Sequence, residues 1–130
     1  EIVVSESERT VQGYASTIEV ELSSGEGTRS VAGALIAGNE GRVVAINGIH
    51  LEAIPTGHML LIENKDIPGV IGKIGTRLGD SGINISRMQL GLSPKTGKAI
   101  SIVNVDQPVS AEVREALTCD DIVSVTLISL

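Results

Sequence analysis

Two periods of hydrophobicity divide the chain near residue 56. Before that point, residues 14–22, 29–36, 42–46 and 49–54 are short runs rich in Val and Ile. Glycine turns bound them at Ser24-Gly25-Glu26-Gly27, Gly38-Asn39-Glu40-Gly41 and Asn47-Gly48. Such runs predict strands, and a two-residue Asn-Gly link predicts a tight hairpin whose turn matches strand twist. An antiparallel, β-rich meander over residues 1–56 follows. Ile54-Pro55-Thr56-Gly57 breaks the pattern and marks the expected boundary, leaving 57–130 as a second domain.

From there the order predicted is strand (58–65), helix (68–81), strand (83–92), strand (98–106), helix (109–118) and strand (122–129). Val70, Ile71, Ile74 and Leu78 form a stripe along one face of the first helix. Pro68 suits a first helical turn, and Gly82 suits the left-handed position just past the end. Glycines at 72, 75 and 79 each cost roughly 1 kcal/mol against Ala in a helix interior. That cost predicts a sheet or second backbone passing close by. The second helix is expected to turn Val109, Val113, Ala116 and Leu117 inward. This βαββαβ order is that of the ferredoxin-like split unit, both helices on one face of a sheet, so the fold class is α+β. Its strands hold more apolar residues than one face needs, which predicts a dimer that pairs sheets or edge strands.

Composition narrows the chemistry. Of 130 residues 42% are apolar, yet Trp and Phe are absent and Tyr14 is the single aromatic. A core of Val, Ile, Leu and Ala gives nucleic acid no stacking platform. A net charge of −6 also opposes a phosphate backbone as partner. One cysteine, Cys119, excludes an internal disulfide and a cysteine-based metal site. His50 and His58 lack the paired ligands of a metal centre and read as structural. Neither a run of membrane-span length nor a signal peptide is visible, so the chain reads as cytoplasmic, with no membrane partner. Beginning at Glu1 rather than Met, it reads as a processed product or a piece of something larger. An enzymatic reading finds little support. Ser86 or Ser101 as nucleophile would need a histidine base, and Asp120-Asp121, as neighbours in a strand, would face opposite ways.

The richest stretch runs from Glu63 to Ile85, ENKDIPGVIGKIGTRLGDSGINI. A strand ends in polar Asn64 and Asp66, turns through Pro68-Gly69 into a helix, and restarts at Asn84-Ile85. The strand end, helix N-terminus and second strand start are expected to converge on one point. Free N–H groups at Gly69–Ile71 would take a carboxylate. Asp66 would face an ammonium, and the Asn84 carboxamide can serve either group. The plainer alternatives stay open: Asp66 as an ordinary helix cap worth about 1 kcal/mol, Asn84 as a turn residue satisfying nearby backbone, and Arg42 as a solvated strand-face residue.

With Asp66-Ile67-Pro68-Gly69-Val70 and Gly82-Ile83-Asn84-Ile85 in place, the second half resembles an ACT domain, a small amino-acid-sensing module. Further strings extend the likeness to the C-terminal regulatory region of bacterial D-3-phosphoglycerate dehydrogenases: Gly57-His58, Met88-Gln89-Leu90-Gly91, Val103-Asn104-Val105-Asp106 and the end at Leu130. Residues 29–35 and 42–48 resemble the later part of that family's allosteric substrate-binding domain.

The resemblance implies a non-catalytic, regulatory fragment. ACT domains of that family pair side by side, as a homodimer or higher even oligomer, and L-serine binds at the interface and inhibits. Carried over residue by residue, the serine site falls on Asn64, Asp66, Pro68, Gly69, Val70, Asn84 and Ile85. Asn64 stands where other versions have His or Tyr. Arg42 matches one basic residue of an anion-binding site, while Ile54 replaces a second arginine found in some members. No cofactor is expected in this fragment. No GxGxxG fingerprint occurs, so NAD belongs to the missing catalytic part. A second likeness is to the β chain of iron–sulfur L-serine dehydratase, which also ends in an ACT domain, and a third reading is an ACT dimerisation element with an empty site.

Overall fold

The computed structural model describes residues 2–7, 14 and 17–130. It divides into two compact units, Glu1–Pro55 and Thr56–Leu130.

The first unit is a five-stranded antiparallel sheet in chain order: β1 (Ile2–Ser7), β2 (Thr17–Ser24), β3 (Gly27–Ile36), β4 (Glu40–Ile46) and β5 (Ile49–Ala53). β1 is a strand that the hydrophobic pattern did not predict. The strand expected over 14–22 begins at Thr17, and residues 15–16 lie outside the described ones. The Asn47-Gly48 link behaves as its sequence predicts. Both residues take positive φ (50° and 75°) between the paired Ile46 and Ile49. Asn47 is also tied to β3, its Oδ1 accepting from Ser30 N–H at 2.9 Å. Register shifts between Ala32 and Gly33 and between Val43 and Ala45 mark a bulge, and fully buried Val44 joins Ala32, Ala34 and Ala45 in a small core against Tyr14.

The second unit runs β6 (His58–Lys65), α1 (Val70–Asp80), β7 (Ile85–Ser93), β8 (Lys98–Val105), α2 (Ala111–Leu117) and β9 (Ile122–Ser129), with sheet order β7-β8-β6-β9. All pairings are antiparallel, so this is the expected ferredoxin-like βαββαβ arrangement. The α1 stripe packs as Val70, Ile74 and Leu78, each at most 1% exposed, against Leu60, Ile62 and Val103 of the sheet. Ile71, expected inward, is 42% exposed, because the buried stripe is only one residue wide.

α1 ends where Gly82 takes φ 71°. Gly82 N–H bonds Gly79 O and Ile83 N–H bonds Leu78 O, both at 2.9 Å, while Ile83 and Leu78 share the core. That is a full left-handed cap with its hydrophobic contact. At the other end α1 starts two residues later than predicted, since Gly69 at φ 90° cannot be a helical residue. α2 is likewise shorter than its pattern. Ser110 caps it by accepting from Val113 N–H, buried Val109 precedes the cap, and Ala116 faces solvent. β8 is buried almost throughout, Ile100 and Ile102 included. The exposed large apolar residues of the sheet lie on its two edge strands, Leu90 and Leu92 on β7 and Val123 on β9.

Candidate functional site

The predicted site residues fall into two groups. At the end of β6, Asn64 is only 2% exposed. Its Nδ2 donates to Lys65 O at 2.9 Å and its Oδ1 accepts from the Ser101 hydroxyl at 3.3 Å. Both ends of this amide are therefore used inside the sheet. The chain leaving β6 is then pinned on both sides, Lys65 N–H to Asp121 O at 2.8 Å and Asp66 N–H to Gly97 O at 2.9 Å. Asp66 is exposed, and its carboxylate has neither a hydrogen-bond nor an ion-pair partner among the described residues.

The capping role left open for Asp66 is not the one it plays. The N-cap of α1 is Gly69, and no side chain caps the helix. The first helical bond runs from Lys73 N–H to Gly69 O, which leaves the first-turn N–H groups of Val70, Ile71 and Gly72 unengaged. Pro68 and Gly69, both exposed, form the turn in front of them. An unengaged carboxylate thus stands three residues before the N-cap of a positive helix end.

The second group is Asn84 and Ile85. Asn84 is exposed, and its carboxamide makes no hydrogen bond among the described residues. Its backbone, by contrast, is doubly held by Asp106: Asn84 N–H donates to Asp106 Oδ1 at 3.1 Å, and Asp106 N–H donates to Asn84 O at 3.2 Å. Beside it, Gln107 Nε2 donates to Gly82 O at 2.8 Å. Ile85 then enters β7 opposite Val105 and packs on the core.

Within one chain the two groups do not converge, contrary to the sequence reading. Asp66 is bonded to Gly97 and Asn84 to Asp106, at opposite ends of β8. At roughly 3.3 Å per residue they lie about 25–30 Å apart. The cause is α1, which runs antiparallel to β6 and carries the chain back along the sheet before β7 can begin.

Two further polar clusters lie away from these residues. In the first unit, Arg42 donates to Glu40 Oε2 and to Gly41 O, both at 2.9 Å. Its guanidinium is thus already matched by a carboxylate. It borders a cavity of about 350 Å³ lined mainly by apolar groups of Ile18, Ala34, Leu35, Val43 and Pro55. On the second unit, α1 reaches across to the α2–β9 link. Lys73 Nζ pairs with Asp121 Oδ2 at 2.7 Å, and Arg77 donates to Ala116 O and Leu117 O. The Lys73 contact holds Asp121 below the usual carboxylate range, and Asp121 in turn raises Lys73. The Cys119 thiol is lowered mainly by the Asp121 backbone N–H, with Arg77 contributing.

Among the described residues no cluster of three His, Cys, Asp or Glu could hold a metal, and no helix is long and apolar enough to cross a membrane.

Sequence comparison agrees with the fold. Residues 58–118 match the ACT domain family. The chain is 40% identical to D-3-phosphoglycerate dehydrogenase of Bacillus subtilis over 119 residues, covering 91% of this chain and 23% of the relative. It is 35% identical to the D-3-phosphoglycerate dehydrogenase of Archaeoglobus fulgidus, covering 99% and 25%. For that of Methanocaldococcus jannaschii the figures are 34%, 89% and 22%. The chain therefore spans only about a quarter of the length of these relatives. Residues 58–118 are an ACT domain, in a chain homologous over most of its length to D-3-phosphoglycerate dehydrogenases.

Proposed function

We propose that this chain is the regulatory, non-catalytic end of a cytoplasmic D-3-phosphoglycerate dehydrogenase. Its ACT domain binds L-serine between two copies, and the bound ligand restrains an NAD-dependent catalytic part carried elsewhere in the parent protein. The first unit, on this reading, is the later part of an allosteric substrate-binding domain.

One observation carries the proposal. The chain has two half-sites at opposite ends of one sheet, each with unengaged polar groups: Asp66 with the α1 N-terminus, and Asn84. Edge strand β7 resolves the separation. Pairing β7 antiparallel with its own copy sets the Asn84 end of one strand beside the Ser93 end of the other. Ser93 lies opposite Lys98, next to the Gly97 that holds Asp66. A two-fold dimer thus brings the Asn84 of one copy to the Asp66 of the other, twice. Exposed Leu90 and Leu92 supply apolar area for that contact, and the open ladder of β7 supplies backbone groups.

In the completed site the ligand carboxylate faces the N–H groups of the α1 first turn behind Pro68, Gly69 and Val70. Its ammonium faces Asp66, and Asn84, leading into Ile85, bridges from the partner. Asn64 lies just behind, only 2% exposed and held by Lys65 O and the Ser101 hydroxyl, with a second N–H and a second lone pair still available to a ligand that reaches it. Because serine touches both copies, it stabilises one inter-subunit arrangement, which is a coupling free energy available to distant domains.

Titration calorimetry with L-serine tests this. Saturable binding is expected for the unaltered chain and at least about tenfold weaker binding for Asp66→Ala and for Asn84→Ala, a loss of about 1.4 kcal/mol. Heats in both variants equal to those of the unaltered chain would defeat the site assignment. At serine concentrations 100 times Kd, the added stability should be about 2.7 kcal/mol. A melting temperature unmoved by any amino acid would instead support an empty ACT module.

A further inference from the structure

We infer that Asp106 and Gln107, which neither hydrophobic pattern nor motif assigns a role, are positioning residues for the Asn84 half-site. The inference rests on the serine-binding reading above and adds residues to it that touch no ligand.

Ile85 pairs with Val105, so continuing the same register sets Asn84 opposite Asp106. A hydrogen-bonded antiparallel pair exchanges two bonds, each residue's N–H meeting the other's carbonyl. Here one bond is ordinary, Asp106 N–H to Asn84 O at 3.2 Å. The return bond is not: Asn84 N–H meets the Asp106 side chain, Oδ1 at 3.1 Å, in place of its main-chain oxygen. The sequence supplies a cause. Pro108 has no N–H with which to continue the ladder, and the chain bends out of it at Asp106 and Gln107. The Asp106 carboxylate can replace the carbonyl that has been withdrawn. Gln107 then uses its own departure from the sheet to reach back, Nε2 to Gly82 O at 2.8 Å.

Gly82 and Asn84 are therefore held at two points by consecutive side chains, and Ile83 between them is held by Leu78 O. The N–H groups of Gly82, Ile83 and Asn84 and the carbonyls of Gly82 and Asn84 are all bonded, while the Asn84 carboxamide is left without a partner among the described residues. A short polar arm on a fixed base loses little conformational freedom when it meets a ligand, which favours binding by preorganisation. Alanine at either position would leave the corner's fold in place but release its backbone.

Asp106→Ala, Asp106→Asn and Gln107→Ala in the 130-residue chain test the assignment by two readouts. The first is amide hydrogen exchange. In Asp106→Ala the Asn84 N–H should exchange about tenfold faster or more, while Ile83 N–H stays protected by Leu78 O. Unchanged protection at Asn84 overturns the inference. The second is L-serine affinity. Asp106→Ala should weaken it about tenfold, whereas Asp106→Asn, which keeps an Oδ1 acceptor, should stay within about threefold of the unaltered chain. Equal losses in Asp106→Ala and Asp106→Asn would show that charge rather than the ladder bond matters, and would also overturn it. If Asp106→Ala does not fold, Gln107→Ala decides: weaker serine binding supports the inference and unaltered binding sinks it. If the unaltered chain binds no amino acid, the serine reading fails instead, and exchange at Asn84 alone decides whether Asp106 holds the corner.

Discussion

Gly69 and Gly72 are three residues apart and should respond to alanine in opposite directions. Gly69 sits at φ 90°, a conformation that costs an L-residue about 1–2 kcal/mol, so Gly69→Ala should destabilise by about that amount. Gly72 and Gly79 lie on the exposed side of α1, and a Cβ at either would meet nothing within 4 Å. The sequence reading predicted a close neighbour there, and the described chain provides none. Helix propensity then governs, and Gly72→Ala and Gly79→Ala should each stabilise by up to about 1 kcal/mol. Urea denaturation measures all three. A loss of stability in Gly72→Ala, with no change in fold, would mean that some other backbone does approach that face. From sequence the two kinds of glycine look alike. Of the glycines around α1, Gly82 alone, flanked by the end of an apolar stripe and the start of a strand, declared its left-handed role in advance.

The elements of the second unit were legible because their signals are local. A stripe at helical spacing, an Ile-Asn-Ile strand entry and glycines at chain reversals fix β6, α1, β7, β8 and β9 to within a few residues. The contacts that tie α1 to the α2–β9 link were not legible, since Lys73 and Asp121 are paired by the fold and not by spacing. That pair has a pH signature whose sign follows from linkage. Asp121 is lowered in the folded chain, so its contribution is present above the usual carboxylate range and is lost as pH falls through the depressed folded value. Lys73 is raised, so its contribution is present below the usual lysine range and is lost as pH rises through the elevated one. Between these limits the stabilisation is flat, and as a solvent-exposed pair it is small and weakened by salt. Thermal melts of the unaltered chain and Lys73→Met should therefore differ slightly at neutral pH and low salt. The difference should vanish in strong acid; one that grows on acidification would contradict the assignment.

The separation of Asp66 from Asn84 could not be read from sequence. It depends on α1 running back along the sheet, and thirteen-odd residues of helix and cap look the same whether they return to the start or stay near the end. What the motif does encode is a pair of half-sites, and two-fold symmetry is the simplest operation that joins them. That geometry makes a distinctive prediction about mixtures. Let one population carry Asp66→Ala and the other Asn84→Ala. Each homodimer then has two damaged sites, and neither population binds serine well. In a mixed dimer one site receives both alanines, while the other receives Asp66 from the second variant and Asn84 from the first, and so is intact. After unfolding and refolding equal amounts together, random pairing should restore about a quarter of the serine sites with unaltered affinity. Calorimetry reads this directly as a recovered stoichiometry. A site built within one chain would recover nothing on mixing, because every copy would still lack one of its two groups. Recovered affinity without a recovered dimer on size exclusion would equally contradict the β7 pairing, since the intact site needs both copies held together.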